Sequence, residues 1–376
     1  MNLTKTNNRY QKQILLKAFG QPAQEKLSAA KLLVIGAGGL GCAALPYLAA
    51  AGVGTIGIVD FDVVEISNLQ RQVLYTVNDL GKSKAATASA RLSALNPEIK
   101  IDIYDVQINN KNAFALISDY DLVIDGSDNY ATRYLVNDAC VLLNKPLVYG
   151  AVSCFEGQVG VFNLANFAGL IKTNYRDLFP QPPDATAGLS CNEAGVLGVL
   201  PGIIGTMQAT EAIKIITEIG KPLSHTIISY NALENSFYDF TLSPNEKANA
   251  LIPKDQAGFE NFNYDWFCNR PSGFEITAEA FDTLRLHEVV TIIDVREKDE
   301  WPLIDKFPVS QIPFSEFEKS ILSMSTKNKI VVVCQTGNRS LKAVKLLKEI
   351  FPKCDVYSLQ GGLETWYRNH KKKIDA

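Results

Sequence analysis

The sequence predicts an α/β fold in which a doubly wound, mainly parallel sheet is followed by a smaller second α/β domain. Apolar runs of strand length alternate with helical patterns up to Tyr149, and acidic residues recur where these strands end. Alternation of this kind is typical of crossover helices that cover both faces of a parallel sheet. Periodicity then fades and later resumes, so we predict a first domain over residues 1–242, a linker over 243–269 and a second domain over 270–376.

The strands of the first domain are predicted from short runs of apolar and β-branched residues. A helical lead-in covers residues 10–30, and a helix after Gly81 places Ala85, Ala88 and Leu92 on one face at helical spacing. The predicted strands are Lys31–Ile35, Thr55–Val59, Ile99–Tyr104, Leu122–Ile124, Leu147–Tyr149, Gly157–Phe162, Ile227–Tyr230 and Ser236–Phe240, with a long helix over 202–219.

The second domain is predicted from two strands and one helix. The strand Val290–Ile293 is followed by Asp294-Val295-Arg296, and the strand Lys329–Val333 ends at Cys334. The helix after Ser340 carries apolar residues at the i, i+3, i+4 and i+7 positions of a core-packed face.

Composition argues against several classes of protein. A chain of 376 residues is long enough for two domains with separate cores. Its net charge of −3 gives no electrostatic reason to expect nucleic acid, and its apolar stretches are shorter than the about 20 residues needed to span a membrane. The polar N-terminus and seven scattered cysteines are typical of a cytoplasmic protein in a reducing compartment.

A glycine-rich turn, Gly36-Ala37-Gly38-Gly39-Leu40-Gly41, joins the first strand to a helix of small residues. Glycines allow the backbone to approach a phosphate closely, and the start of a helix offers free N–H groups. Asp60 follows about 20 residues later, where a carboxylate can bind the hydroxyls of a ribose. Alone, this Rossmann-like pattern would indicate a dinucleotide coenzyme.

Three further polar or cationic residues, Asn68, Arg71 and Lys84, suit a triphosphate better than a nicotinamide. A nicotinamide-linked oxidoreductase would also need a proton-relay residue, and the histidines at positions 225, 287 and 370 lie outside these motifs. We therefore predict ATP as the ligand. The alternative is the oxidoreductase. Stabilisation of the protein by NAD, without binding of ATP, would favour it.

Asp125-Gly126-Ser127-Asp128-Asn129, with Arg133, completes a set of motifs. With this set, the segment from about Arg9 to Phe240 resembles the MoeB/ThiF/HesA family of ubiquitin-activating-type adenylyltransferases. The resemblance implies that ATP and Mg²⁺ are used to adenylate the C-terminal glycine of a ubiquitin-fold sulfur carrier.

The resemblance also assigns roles to individual residues. It implies that Asp60 binds the ribose, that Asn68, Arg71 and Lys84 bind the phosphates, and that Asp128 binds Mg²⁺. Arg71, Lys84 and Asp128 are also predicted to act in catalysis. The full nucleotide-binding set predicted is Gly36, Gly38, Gly39, Gly41, Asp60, Asp62, Asn68, Arg71, Gln72, Lys84, Asp128, Asn129 and Lys12.

Two features depart from the pattern of the family. An arginine of the lead-in usually reaches the ATP of the other protomer in a homodimer, and Lys12 stands at that place; lysine keeps the charge but loses the bidentate fork. Relatives also commonly carry two Cys-x-x-Cys pairs that bind a structural zinc. This chain has Asn174-Tyr175-Arg176-Asp177 and residues 244–249 there, which contain neither cysteine nor histidine. We therefore predict that no zinc is bound.

Cys191 opens Cys191-Asn192-Glu193-Ala194-Gly195-Val196, which matches a motif of the family. The resemblance implies a thiol on a crossover loop that, in some members, forms a covalent link to the carrier. A nearby helix start would favour its thiolate, and the alternative is an inert, half-buried thiol; the sequence leaves both open. Cys42, directly after the glycine turn, is predicted to be a small core residue.

Cys334-Gln335-Thr336-Gly337-Asn338-Arg339-Ser340 joins a predicted buried strand to a helix. Backbone N–H groups at such a turn, with the charge of Arg339, stabilise an anionic sulfur. With Asp294–Arg296 and Gln360–Trp366, this segment resembles a rhodanese (sulfurtransferase) domain over about residues 270–372. The resemblance implies that Cys334 carries a persulfide, because four residues separate it from Arg339 and related phosphatases have one more.

Together the two resemblances imply a reaction sequence. The terminal carboxylate of the carrier becomes an acyl-adenylate, Cys334 transfers sulfur from a donor such as a cysteine desulfurase, and a second thiol such as Cys191 frees the thiocarboxylate. Such fused chains resemble enzymes of molybdopterin synthesis, thiamine thiazole synthesis or tRNA thiolation, and we expect molybdopterin synthesis. The expected partners are a carrier ending in Gly-Gly and a second copy of the chain. A non-catalytic scaffold that binds the carrier is the alternative.

Overall fold

The computed structural model describes residues 9–164, 172–182, 195–268, 273–298, 300, 304–321 and 328–374. They form two compact units, the second of which comprises mainly the residues from Asn263 onward. Each unit has its own sheet and its own apolar core, which confirms the predicted pair of α/β folds. No helix within these ranges is long and apolar enough to cross a membrane.

The first unit alternates strands and helices as far as its fifth strand. Its strands are β1 (Lys31–Ile35), β2 (Thr55–Val59), β3 (Lys100–Tyr104), β4 (Leu122–Asp125), β5 (Leu147–Ser153), β6 (Glu156–Phe162), β7 (Thr226–Asn231) and β8 (Ser236–Thr241). Its helices are α1 (Gln11–Ile14), α2 (Gly20–Ala29), α3 (Gly39–Ala51), α4 (Lys84–Leu95), α5 (Ala113–Ser118), α6 (Tyr130–Leu142), α7 (Tyr175–Leu178), α8 (Val199–Thr217), α9 (Glu246–Asn249) and α10 (Gln256–Asn261).

The eight strands form one sheet in the order β3-β2-β1-β4-β5-β6-β7-β8. The pairs from β3 to β5 are parallel, and β6, β7 and β8 continue the sheet in antiparallel register. The strand order reverses direction at β1, so the turns after β1 and β4 lie side by side beyond the carboxyl edge. Ligands of doubly wound sheets bind at this switch point.

The helix after the glycine turn, α3, packs closely against α8 in the core of the first unit. A Cβ at Gly205 of α8 would lie 2.3 Å from the carbonyl oxygen of Leu40 and 2.9 Å from Cβ of Ala43. Glycine is therefore required where the two helices cross. Helix α3 ends at Gly52, whose φ of 85° is the left-handed conformation that glycine adopts without a steric cost.

The predicted linker over 243–269 is described as far as Cys268, and this part contains three short helices: α9, α10 and α11 (Tyr264–Cys268). Asn245 and Asp255 begin the first two of them by accepting hydrogen bonds from Ala248 N and Gly258 N. Helices this short have no strong apolar period, which is why the periodicity of the sequence fades here.

The described residues of the second unit include a parallel sheet of five strands in the order β11-β10-β12-β13-β9. Its strands are β9 (Glu275–Ile276), β10 (Val290–Asp294), β11 (Ser310–Gln311), β12 (Lys329–Val333) and β13 (Val356–Leu359). Its further helices are α12 (Ala278–His287), α13 (Phe314–Ser320), α14 (Asn338–Ile350) and α15 (Gly362–Ile374). Strand β12 lies at the centre and is buried from Ile330 onward, so Cys334 follows the most enclosed strand of this sheet.

Candidate functional site

A cavity of about 450 Å³ opens beyond the carboxyl ends of β1, β2 and β4 in the first unit. Its walls come from the turns that follow these strands and from Lys84 at the start of α4. Ten of the residues predicted to bind the nucleotide line it: Gly36, Gly38, Gly39, Asp60, Asp62, Arg71, Gln72, Lys84, Asp128 and Asn129.

The glycine turn is shaped by two close backbone approaches. Gly36 has a φ of 91°, and a Cβ on it would lie 2.8 Å from the carbonyl oxygen of Gly126 in the turn after β4. A Cβ on Gly41 would lie 2.1 Å from the carbonyl oxygen of Gly36. Gly41 therefore supports the turn from behind, while Gly38 and Gly39 face the cavity where α3 begins.

Asp60 is held at the end of β2 by two backbone donors. Its Oδ2 accepts a hydrogen bond from Ala37 N at 2.7 Å, and its Oδ1 accepts one from Asp62 N at 2.9 Å. Burial raises the pKa of Asp60, and these two hydrogen bonds oppose that rise. The carboxylate is therefore fixed against the glycine turn on the cavity wall.

Lys84 and Asp62 form an ion pair at the cavity, with 2.8 Å between Nζ and Oδ2. The lysine side chain is 6 % exposed and the aspartate side chain 50 %. A backbone bridge between Val63 and Ser83 sets this pairing, and Lys84 N donates to the carbonyl of Asp62 at 2.9 Å. These main-chain contacts fix the backbone of Lys84 beside Asp62, and burial and the ion pair hold its ammonium at the cavity wall.

The segment 68–72 contributes a cation and an amide to the cavity. Arg71 is anchored by a hydrogen bond from Nη1 to the carbonyl of Ser67 at 3.1 Å. Gln72 is buried, and its Oε1 has no hydrogen-bond partner among the described residues. Asn68 does not line the cavity; its Oδ1 instead accepts a hydrogen bond from Glu65 N at 3.2 Å and so shapes the short 3₁₀ turn.

The turn after β4 carries Asp128 and is held by hydrogen bonds to Asp125 and Arg133. Asp125 Oδ1 accepts a hydrogen bond from Ser127 N at 2.9 Å, and burial raises the pKa of Asp125 while the charge of Arg133 lowers it. Arg133 donates from Nη2 to the carbonyl of Ser127 at 3.2 Å, and Asn129 begins α6 by accepting from Thr132 N. The nucleotide-binding set predicted from sequence left out Asp125, Ser127 and Arg133, although they belong to the same motif.

Three of the predicted nucleotide-binding residues, Gly41, Asn68 and Lys12, are not part of the described cavity lining. Lys12 is exposed on α1, and Cys191 lies outside the described residues. The chain just beyond Cys191 does reach the cavity, because Gly195 and Val196 line it. Backbone hydrogen bonds of 3.0 Å tie this stretch to Cys154 in the turn between β5 and β6.

Alkylation should separate the cysteines of the first unit by their burial. Burial raises the pKa of Cys42 to about 12 and also raises that of Cys140, whereas Cys154 is exposed. At pH 8 the two buried residues stay protonated, and only the thiolate reacts. We expect iodoacetamide to modify Cys154 at least ~10²-fold faster than Cys42 or Cys140 in the folded chain, measured by peptide mapping. Equal rates in the folded chain, with unfolded chain as the reference, would contradict this expectation.

In the second unit, Cys334 lies at the base of a turn lined by backbone donors. Its Sγ accepts hydrogen bonds from Gly337 N at 3.2 Å and Ser340 N at 3.4 Å, and Ser340 Oγ lies 3.4 Å away. The residue is buried, and Gly337 has a φ of 91° where the turn enters α14. This geometry places partial positive charge around the sulfur.

Two predicted motifs of the second unit surround this turn. Leu363 N, at the start of α15, donates to the carbonyl of Cys334 at 2.9 Å, and a Cβ on Gly362 would lie 2.5 Å from the same oxygen. Arg296 forms a buried ion pair with Asp294 and reaches Gln335 Oε1 at 3.5 Å. The turn is therefore held from both neighbouring strand ends.

Arg339 has a partner that the sequence did not indicate. Its guanidinium pairs with the carboxylate of Glu300, with 2.7 Å between Nη2 and Oε2. The hydrogen bond from Arg339 is the largest reason why the pKa of Glu300 falls to about 2, and the pairing raises the pKa of Arg339. Arg339 lies at the start of α14, and part of its charge is balanced by Glu300.

The family models divide the chain at the same place as the fold. The ThiF family model matches residues 10–251, and the rhodanese-like domain model matches residues 277–369. The chain belongs to the ThiF family. It also carries a rhodanese-like domain, which confirms both resemblances seen in the sequence.

Curated relatives of this chain carry matching names. A sulfur carrier protein adenylyltransferase of Thermus thermophilus is 48% identical over 69% of this chain and 96% of its own length. A probable adenylyltransferase/sulfurtransferase MoeZ of Mycobacterium tuberculosis is 41% identical over 95% of this chain and 92% of its own. A probable molybdopterin-synthase adenylyltransferase of Porphyra purpurea is 38% identical over the same shares. Family and names confirm the predicted class of enzyme, an adenylyltransferase with a sulfurtransferase domain.

A solved structure shares part of the fold of this chain. A crystal structure of E. coli MccB with ATP aligns with a TM-score of 0.55 at 23% identity, over 65% of this chain and 74% of that chain. At this identity the likeness shows a common fold.

Proposed function

We propose that this enzyme uses ATP to adenylate the C-terminal glycine of a ubiquitin-fold sulfur carrier and then converts the acyl-adenylate into a thiocarboxylate. The observation that carries the proposal is the pairing of Lys84 with Asp62 on the wall of a glycine-turn cavity. A buried, fixed ammonium in such a cavity suits the phosphates of ATP better than a nicotinamide. The name of the Thermus thermophilus relative supports a sulfur carrier as the substrate.

In this proposal ATP lies across the carboxyl edge of the sheet. The N–H groups at the start of α3 receive phosphate oxygens, as helix N-termini do in other nucleotide sites. Asp60, fixed by its two backbone donors, accepts hydrogen bonds from the ribose hydroxyls. Arg71 and Lys84 neutralise the charge that develops as the carboxylate attacks the α-phosphorus and pyrophosphate leaves.

The wall around Asp128 fits a magnesium ion. Asp128 is a carboxylate that faces the cavity on a braced turn, and Mg²⁺ binds such sites through one or two carboxylates with phosphates and waters as its other ligands. Bound there, the ion would offset the negative charge of the phosphates. Asp128 is the residue of this turn that we assign to it.

Sulfur transfer then needs a balanced exchange of bonds. The terminal sulfur of a persulfide on Cys334 attacks the acyl carbon; a C–S bond forms, the C–O bond to the phosphate breaks and AMP leaves. A second thiolate, which we assign to Cys191, attacks Sγ of Cys334 and expels the thiocarboxylate as the S–S bond breaks. The disulfide left between the two cysteines is reduced by an external dithiol, which is itself oxidised.

The cellular setting of the proposal has four parts. The carrier ends in Gly-Gly, and the Porphyra purpurea relative favours molybdopterin synthesis as the pathway, with thiamine thiazole synthesis as the alternative. A cysteine desulfurase loads Cys334 with sulfur. The enzyme works as a cytoplasmic homodimer in which exposed Lys12 reaches the nucleotide of the other protomer.

The test is carrier-dependent exchange between ATP and pyrophosphate with the Asp128→Ala variant. We expect molybdopterin-type carrier to support exchange in the wild-type chain and Asp128→Ala to lower it ~10²-fold or more. Asp119→Ala, an exposed carboxylate just after α5, is the matched control and should retain wild-type exchange. A thiamine-type carrier run in parallel separates the two pathways. Nucleotide binding without exchange on any carrier would instead favour a non-catalytic scaffold that binds the carrier. The observation behind this alternative is Lys12, which stands where the family usually has an arginine.

A further inference from the structure

An aspartate and three asparagines join two segments of the first unit that lie far apart in the sequence. Asp177 accepts hydrogen bonds on Oδ2 from Asn174 N at 2.7 Å and Asn174 Nδ2 at 3.1 Å. On Oδ1 it accepts from Asn245 N at 2.6 Å and Asn249 Nδ2 at 3.1 Å. Asn174 Nδ2 also donates to Asn249 Oδ1 at 2.6 Å. We call Asn174, Asp177, Asn245 and Asn249 the Asp177 clasp.

The clasp rests on a fully buried polar layer. Arg176, within the same turn, forms an ion pair with Asp138 of α6 at 2.6 Å, and both side chains are 0 % exposed. Tyr175 N donates to Asn137 Oδ1 at 2.7 Å. The turn at α7 is therefore fixed to α6 by this buried layer and to α9 by the clasp.

These segments are the ones at which the family resemblance implies a structural zinc. The donors found here are one carboxylate and several amides, whereas structural zinc sites use thiolate or imidazole ligands. Both carboxylate oxygens of Asp177 already accept two N–H groups each. The residues at these positions do not fit zinc.

We propose that the Asp177 clasp takes the place of the metal and fixes α7 to α9 by hydrogen bonds alone. A carboxylate suits this role because it only accepts hydrogen bonds, and charged acceptors form stronger bonds than neutral ones. The four hydrogen bonds that Asp177 accepts join the two segments, as bonds to a metal ion would in a zinc site. The joint is thereby independent of any cation.

The first test replaces the carboxylate by an amide. Asp177→Asn turns one acceptor oxygen into a donor that faces other N–H groups, so we expect the unfolding temperature of the first unit to fall by ~5–10 °C. Asp239→Asn, which changes an exposed aspartate of β8, is the matched control and should leave that temperature within about 1 °C. No shift for Asp177→Asn would overturn the proposal.

A second variant tests whether the clasp acts as one unit. Asn249→Ala removes one donor to Asp177 and the acceptor of Asn174, so it should also lower the unfolding temperature. With both changes made together, the fall should be smaller than the sum of the single falls, because the changes break shared bonds. Full additivity would contradict a common network. Asn249→Ala also tests the clasp by itself if the Asp177→Asn variant does not fold.

The chain allows the two units to be followed separately. Its three tryptophans all follow Phe262 in the sequence, and Trp366 is buried in the core of the second unit, so we use tryptophan fluorescence as the probe of that unit. We expect calorimetry to detect the unfolding of both units. The clasp variants should shift a calorimetric transition while leaving the transition seen by tryptophan fluorescence in place, and a shift of the fluorescence transition alone would overturn the assignment.

The last test removes and adds metal. Purified full-length chain should contain far less than one zinc per molecule by elemental analysis, and a strong chelator should leave its calorimetric profile unchanged. Zn²⁺ or Ca²⁺ added after chelation should also produce no rise in the unfolding temperature. Stoichiometric zinc, a fall on chelation or a rise on adding either ion would show that a cation occupies the clasp, and the proposal would be wrong.

Discussion

Cys334→Ser is expected to abolish thiocarboxylate formation on the carrier while leaving carrier-dependent ATP–pyrophosphate exchange within about twofold of wild type. A serine hydroxyl at this position can accept hydrogen bonds from Gly337 N and Ser340 N, but it cannot hold a transferable sulfur atom. Mass spectrometry of the carrier detects the thiocarboxylate by its mass, and cyanide treatment of the enzyme measures the persulfide as thiocyanate.

The control for this prediction lies in the same unit. Cys354→Ser changes a buried cysteine just beyond α14, whose pKa is raised by burial, and it should leave sulfur transfer intact. Sulfur transfer at the wild-type rate by the Cys334→Ser variant would assign the persulfide to another thiol. Loss of pyrophosphate exchange in that variant would instead indicate that the change disturbs the first unit.

Lys84→Met is expected to lower carrier-dependent exchange by ~10²–10³-fold. The lysine is buried at the cavity wall, its ammonium is held 2.8 Å from Asp62, and methionine keeps most of its volume while removing the charge. The matched control is Lys82→Met, which removes an exposed lysine two positions earlier that pairs with Asp79 at 3.3 Å. We expect this control to keep wild-type exchange.

A double variant separates catalysis from folding in that experiment. Lys84→Met leaves the half-exposed Asp62 without its ion-pair partner, and any loss of stability in the cavity wall would itself lower exchange. Asp62→Asn combined with Lys84→Met removes both charges and should restore thermal stability while exchange stays low. Recovery of exchange together with stability would show that Lys84 has only a structural role.

Much of the cavity could be predicted because its residues follow strands that are recognisable from apolar runs. The glycine turn, Asp60 and Asp128 each come directly after or close to such a run, and parallel strands bring their carboxyl ends to one edge. The ion pair of Lys84 with Asp62 could not be predicted. It depends on the isolated bridge between Val63 and Ser83, in a stretch of irregular turns that leaves no periodic signal.

The remaining gaps have the same cause. Glu300 belongs to no helix or strand of the described residues, so no pattern in the sequence pairs it with Arg339. The helices in residues 243–269 are too short to show a helical period, and Asn245 and Asn249 carry no signal that would join them to Asp177. Sequence patterns identify regular elements, whereas contacts between turns distant in the chain emerge only from the assembled fold.

The close crossing of α3 and α8 bears on how the chain is made. Helix α3 leaves the ribosome before α8, so the face that it buries against Gly205 has no cover until α8 has been translated. Strands β1, β2 and β3 can pair early, because they are neighbours both in the sheet and in translation order. A half-made chain would therefore expose the apolar side of α3, and such surfaces are the ones that chaperones shield.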